Sequence, residues 1–477
     1  MHRSIPIPEG MACGCDKGFP NMYLLLKPQE VGFYDLFKIL FSSNLEKVNS
    51  VHSTTGADEE QSFDRRWLIF VSILVQKCLQ LVSKPLACFG SCLEFWLNLL
   101  STNHNIFVLV LNFLQGKVTM PDKASAGYLS LTAILDKRVE LDSSIKHGDR
   151  RYNAALSMMA AKVSYENTAY IETIVRDTWK MDFVGSYDFW NEFQGKATTQ
   201  GFILLDRSEE SDTYVVAFRG TEAFDADAYC SDFDISWYQI PGVGKIHGGF
   251  MKALGLQKDG DWPKEIERDE SHPPVAHYAI RDMLRERLAE NPKARFIVTG
   301  HSMGGALSIL FVAILILHDE KFLLERVEGV YTFGQPRVGD ETFAKYMEEK
   351  LTQHRIRHYR IVYCNDAVPR LPYDNRNLMF KHFGTCVYYN RCFEGKIVEE
   401  EPNKNYFSPL AAISMSVNAL LELIRSFTIT YKYGSDYEEG WLLILFRILG
   451  LVIPGLPAHF PQNYVNATRL GSVNALT

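Results

Sequence analysis

Long uninterrupted apolar runs are missing from this chain, although 47% of its 477 residues are hydrophobic. None reaches the roughly eighteen uncharged apolar residues that an ordinary membrane-spanning helix needs. Clusters of Lys and Arg are missing too, and the net charge is −7, so nucleic acid is not expected as a partner. Behind the basic start of "MHRSIPIPEGMACGCDKG" there is no apolar core, which argues against a secretory signal. Paired cysteine motifs are absent. Nine cysteines are scattered, Cys13/Cys15 and Cys88/Cys92 are the only close pairs, and neither has a second pair at zinc spacing. No metal site is expected, and the pattern suits free thiols in a reducing, cytosol-facing protein. Charged residues are only 22%, so wholesale disorder is not expected either.

What is present is a crowd of shorter apolar segments. Between Trp67 and Gly116 only Lys77, Lys84 and Glu94 carry charge. Proline lacks a donor and clashes with the preceding turn, so Pro85 is predicted to break this stretch. Trp67–Gln76 and Asn105–Gly116 then read as helices folded back on each other at an interface. Each fully buried Leu, Ile or Phe contributes roughly 1.5–3 kcal/mol, so about ten would hold the chain on lipid. The competing reading is a helical layer packed on the rest of the protein. Val48 to Asp64 reads as an exposed linker. Residues 1–125 are thus expected to be an apolar helical region that associates with a membrane or lipid droplet.

From about Leu129 the composition becomes ordinary. "NAALSMMAAKVSYEN" reads as a helix. "DTYVVAFRGT", "ARFIVTG", "VEGVYTFG" and "HYRIVYCND" read as buried strands. Helical "GALSILFVAILILHDEK" and "DETFAKYMEEKL" alternate with them, which implies a mostly parallel sheet covered on both faces. After "AVPRLP" the regularity is expected to be lost. Residues from about 373 to 457 form an insert with two further apolar segments, starting at Tyr406 and Trp441.

The sharpest local signal is "VTGHSMGGALS". A serine hydroxyl is a poor nucleophile until a base takes its proton. In G-x-S-x-G a strand turns sharply into a helix, and Gly300 and Gly304 leave room for the turn at Ser302. The serine then stands at the carboxyl edge of the sheet. In this arrangement the acid and then the histidine follow along the chain. Asp366 closes an apolar strand at the same edge, whereas Asp340 is placed to cap the next helix. Beyond Asp366 stand His382, in what reads as strand or core, and His459, in a Pro-rich loop; His459 is the preferred base. His301 and His247 do not fit the order and read as structural. Oxyanion donors are expected from the backbone of Met303 and from Thr221 in "AFRGT".

These residues resemble the class 3 lipase family, through "VVAFRGT", "IHGGF", "VTGHSMGGALS", "TFGQPRVGD", "VYCNDAVPRLP" and "HFPQNY" in that order. With its apolar N-terminal region and the ending "NYVNATRLG", the chain is most similar to the plant oil-body branch. The resemblance implies an α/β-hydrolase fold with a mostly parallel central sheet at residues 126–477. To it are added the apolar helical N-terminal region and the C-terminal helical insert. It implies Ser302, Asp366 and His459 as nucleophile, acid and base, Thr221 and Met303 as oxyanion donors, and no cofactor. It puts a mobile lid at Glu222 to Asp232, where Phe224 and Tyr229 are the only large apolar residues. The implied activity is triacylglycerol hydrolysis at a cytosol-facing lipid-droplet surface, with other membranes as further hosts. Two other readings remain: a phospholipase or galactolipase of the same family, and a lipase-like scaffold without catalysis.

Overall fold

The structure, a computed structural model, describes residues 22–28, 32–41, 51–53, 63–208, 211–258, 260, 262–372, 380–404 and 409–471. Its strands are β1 (Met22–Leu26), β2 (Val51–Ser53), β3 (Asp182–Asn191), β4 (Lys196–Asp206), β5 (Thr213–Phe218), β6 (Trp237–Ile240) and β7 (Gly244–His247). They continue with β8 (Arg295–His301), β9 (Val327–Phe333), β10 (Gly339–Asp340), β11 (Arg357–Tyr363), β12 (Phe380–Lys381), β13 (Thr385–Tyr389) and β14 (Gly395–Val398).

The central sheet runs β14-β13-β11-β9-β8-β5-β4-β3. Strands β13, β11, β9, β8 and β5 are parallel, and the flanking pairs are antiparallel. This is the α/β-hydrolase architecture expected from the alternating pattern. Along β8, Phe296 and Val298 enter one core layer while Ile297 enters the other. That alternation is the two-residue period of a pleated strand. The Met303–Leu317 helix covers the first face and is buried from Met303 to Ile316, which explains why it has no polar side. The Tyr152–Val163 helix packs its alanines and methionines on the second face.

The structure corrects three expectations. Pro85 does not end a helix: Phe63–Thr102 is one continuous helix with Pro85 inside it, followed by a short apolar helix at Ile106–Leu114. Both halves are anchored to the body, which overrides the local preference. Before Pro85, Ser72 Oγ donates to Phe233 O at 2.8 Å. After it, Glu94 Oε1 accepts from Leu131 N at 2.9 Å, and Asn98 exchanges two hydrogen bonds with Leu129. Pro85 and its neighbours Leu81 and Val82 face outward, where a freed carbonyl meets no buried apolar surface. Although no uncharged run is that long in the sequence, this helix, continuous through Pro85, and Pro409–Tyr433 each contain a stretch long and apolar enough to cross a membrane by length and composition once a charge or two is allowed.

The second correction concerns the predicted linker at Val48 to Asp64. Part of it, Val51–Ser53, is β2, and Phe63 and Asp64 already belong to the long helix; the rest lies outside the described residues. β2 pairs with β1, which pairs with β6 in a second, antiparallel sheet of order β12-β10-β7-β6-β1-β2. Third, regularity is not lost after "AVPRLP". β13 joins β11 in parallel register and β14 closes that edge before the Pro409–Tyr433 and Trp441–Leu449 helices begin.

Candidate active site

Strand β8 ends at His301 and the chain turns through Ser302 directly into the Met303–Leu317 helix. Ser302 has φ 58° and ψ −130°, a backbone that L-residues seldom adopt. A Cβ on Gly300 would lie 2.2 Å from the Gly304 carbonyl carbon, and one on Gly304 would lie 2.3 Å from Phe218 O. Glycine at both positions is therefore a steric requirement of the turn. Ser302 N–H donates to Phe333 O at 2.8 Å, fixing the elbow to β9.

His459 lies between the short helices Gly455–Ala458 and Pro461–Leu470. Its Nε2 is 2.8 Å from Ser302 Oγ and its Nδ1 is 2.7 Å from Asp366 Oδ2. A carboxylate only accepts, so Nδ1 carries the proton and Nε2 faces the hydroxyl with a lone pair. Asp366 is wholly buried, while Ser302 keeps 8% exposure. The carboxylate is held from several sides. Val368 N donates to Oδ1 at 2.9 Å, and the Tyr464 hydroxyl donates to Oδ2. Burial, with Asp366 beside it, pushes the Tyr464 pKa well up, so the hydroxyl stays protonated as a donor. Gly334, at φ +61°, supplies the remaining space: a Cβ there would stand 2.9 Å from Asp366 Oδ2 and 3.0 Å from His459 Cε1.

His301, expected to be structural, touches the candidate base. Its Nε2 lies 2.8 Å from His459 O, and its Nδ1 lies 2.8 Å from the Tyr165 hydroxyl. A carbonyl only accepts, so Nε2 bears the proton and Tyr165 donates to Nδ1. Burial drives the His301 pKa well down and keeps the ring neutral. His247 caps the Gly248–Leu254 helix at Phe250 N. His382 turns to Pro369 O at 2.6 Å, and Asp340 caps the Glu341–Gln353 helix.

Thr221 lies beside the first turn of the nucleophile helix, its Oγ1 3.7 Å from Met303 Sδ. Met303 opens that helix, where backbone N–H groups have no intrahelical acceptor and are available to an anion. Thr221 Oγ1 also donates to Asp232 Oδ2 at 2.8 Å. Burial pushes the Asp232 carboxyl up to about 7, while Thr221 and His459 pull the other way. Asp232 ends the Ala226–Asp232 helix, which occupies the segment expected as a lid. That helix is pinned under the long N-terminal helix. Ser72 Oγ accepts from Ile235 N at 3.3 Å, Cys230 Sγ approaches Gln76 O at 3.7 Å, and Phe89 meets Phe224 edge to face.

The structure thus joins Ser302, His459 and Asp366 in one chain of hydrogen bonds. It puts Thr221 next to Met303 and both elbow glycines at the turn. Sequence reasoning missed Tyr464, Tyr165, Gly334 and Asp232. Tyr464 and Gly334 stand inside the quoted "HFPQNY" and "TFGQPRVGD", so their motifs marked the place without revealing the contact. Asp232 closes the segment expected as a lid and Tyr165 stands in "NAALSMMAAKVSYEN", but neither stretch revealed the contact.

A serine on a strand–turn–helix elbow, joined through a histidine to an aspartate at the carboxyl edge of a parallel sheet, is the arrangement of the α/β-hydrolase class of enzymes. Comparison with known proteins narrows this. The Lipase (class 3) family model matches residues 215–376. The chain is 39% identical to Triacylglycerol lipase OBL1 of Arabidopsis thaliana, covering 97% of both chains. It is 40% identical to the Nicotiana tabacum protein of that name, over 86% of this chain and 84% of the other. For the Ricinus communis protein of that name the identity is 35%, over 94% and 95%. The chain belongs to the class 3 lipase family.

Proposed function

We propose that this lipase hydrolyses triacylglycerol to free fatty acids at the surface of lipid droplets, through an acyl-enzyme on Ser302. The observation that carries the reading is the 2.8 Å contact of Ser302 Oγ with a His459 whose far nitrogen rests on Asp366. The triacylglycerol lipase names of the relatives support the substrate.

In the mechanism, His459 Nε2 takes the Ser302 proton as Oγ attacks the ester carbonyl. Asp366 stabilises the imidazolium that forms. The oxyanion is met by the Met303 N–H and by Thr221; losing one such donor raises the barrier by about 2.7–4 kcal/mol. His459 then protonates the leaving alcohol. It next activates water, which attacks the acyl carbonyl and releases the fatty acid with Ser302 restored.

Residues 126–477 would carry hydrolysis and residues 1–125 would hold the chain on lipid from the cytosolic side. The exposed Leu81, Phe107, Phe113 and Leu114 support that division. The exposed Ile413, Phe427 and Trp441 of the C-terminal helices would add a second apolar surface from the hydrolytic part.

The test is labelling of Ser302 by an active-site phosphonate, which His459→Gln should abolish. Purified protein should prefer triolein to phosphatidylcholine and galactolipid; preference for a polar lipid would overturn the substrate. Replacing Phe107, Phe113 and Leu114 by serine should weaken flotation with triolein droplets, and unchanged flotation would overturn the lipid role of that region. A Ser302→Ala protein that still served the cell would favour a scaffold over an enzyme.

A further inference from the structure

The Trp441–Leu449 helix precedes the candidate base and faces two ways. Trp441, Leu445, Ile448 and Leu449 point outward. Arg447, the only charged residue between Gly440 and Ala458, is 1% exposed and points inward. Its Nη2 reaches Glu439 Oε1 at 2.6 Å, its Nη1 reaches Glu422 Oε2 at 3.3 Å, and Nη2 also reaches Asn463 Oδ1 at 3.1 Å. Burial works against charge at Glu439, yet the Arg447 and Arg425 guanidinia hold its carboxyl below the usual range.

Asn463 is wholly buried, and its amide has only one sensible orientation. Guanidinium groups only donate, so the atom facing Arg447, and Arg425 at 3.4 Å, must be the oxygen. The nitrogen then donates to Pro457 O at 2.7 Å and to Ala458 O at 3.5 Å. Those are the two peptide carbonyls immediately before His459. From the other side, His301 holds the carbonyl of His459 itself.

We propose that Arg447 is a positioning residue for His459, acting through Asn463. The guanidinium sets the amide, and the amide sets the short turn whose next residue presents its imidazole to Ser302. A purely structural ion cluster does not require this relay. Buried pairs are weak evidence of stability in themselves, because apolar replacements often serve as well. Here one of the arginine's partners is aimed at the backbone of the base. The inference rests on reading His459 as the base.

The experiment uses the full chain and a water-soluble short-chain p-nitrophenyl ester, so that lipid binding does not enter. Replacing Arg447 by an apolar residue would strand Glu422 and Glu439 and loosen the Pro409–Tyr433 and Trp441–Leu449 helices. Arg447→Lys keeps the charge but cannot hold Glu439 and Asn463 together, and Asn463→Ala removes the relay itself. Small misplacements of a reacting group cost about 100-fold, so each variant should lower kcat by about 10- to 100-fold. KM should stay within about twofold and thermal melting should remain cooperative. The double variant should be no slower than Asn463→Ala alone, because the two residues act in series. Wild-type kcat in a folded Arg447→Lys protein would overturn the inference, as would losses that multiply in the double variant. If Arg447→Lys does not fold, Asn463→Ala decides: a rise in KM with kcat unchanged overturns the relay. Hydrolysis that survives His459→Gln would instead overturn the assignment of the base and, with it, the inference.

Discussion

Two apolar elements from opposite ends of the chain each grip one edge of the candidate site, and they grip it differently. The long Phe63–Thr102 helix lies over the segment that ends in Asp232 and Thr221's hydrogen bond. It holds on through separate bonds of its own Ser72 with Phe233 O, Glu94 with Leu131 N and Asn98 with Leu129 O. The C-terminal pair of helices sits behind His459 and is joined to it by one buried cluster of Glu422, Arg425, Glu439, Arg447 and Asn463. Separate side-chain-to-backbone bonds each contribute about 1 kcal/mol and can be released in turn. A closed ionic cluster behaves as a unit, because removing one member strands the others. The polar contacts of the N-terminal joint should therefore be removable one at a time, over an apolar layer of Ile69, Phe70, Ile73 and Trp237, and those of the C-terminal joint only together.

The largest blow to this contrast should come at the C-terminal joint. Glu439→Ala leaves Arg447 and Arg425 short of a partner and should cost about 3–5 kcal/mol in urea unfolding. A cost near that of a single exposed hydrogen bond would erase the contrast.

Next comes a pH effect on the N-terminal side. Burial raises the Asp232 carboxyl from 3.8 to about 7, so between those values the folded chain keeps a proton that the unfolded chain has lost. Its contribution to stability is complete below about pH 4 and is lost as pH rises through about 7, by on the order of a few kcal/mol. The Tm of the wild type should therefore fall, relative to Asp232→Asn, over that interval. Parallel curves would show that the carboxyl is not held in this way.

Smaller still is the effect expected where the long helix meets the turn that leads into the Ala226–Asp232 helix. A Cβ on Gly90 would stand 2.6 Å from Phe224 Cβ, so Gly90→Leu should destabilise by about 1–3 kcal/mol through overpacking. It should also speed proteolysis between residues 224 and 235. The smallest effect belongs to Ser72→Ala, about 1 kcal/mol, with the same shift in cleavage and intact ester hydrolysis. Loss of hydrolysis in Ser72→Ala would mean that this joint does not yield separately.

The elements that sequence reasoning found share a property: their signals are local. The β8 strand, the Gly300-x-Ser302-x-Gly304 turn and the apolar helix after it are contiguous, and each residue's neighbours dictate its conformation. What it missed depends on partners far away in the chain. Pro85 ought to break a helix on local rules; Ser72 and Glu94, docked on distant segments, keep the two halves on one course. β2 carries too few residues for a periodic pattern and exists because β1 pairs with it. The strand pattern of β13 was legible in "GTCVYYN", but the expectation of an insert hid it. Arg447 drew no reading from the sequence, since nothing nearby in the chain points to Glu422 or Asn463.

The strained turn at Ser302 has a further consequence. Its backbone lies where glycine is at ease and serine is not, so the residue best suited to the fold at that point is one that could do no chemistry. Ser302→Gly should melt above the wild type while being inert. Durability alone would favour glycine at this position.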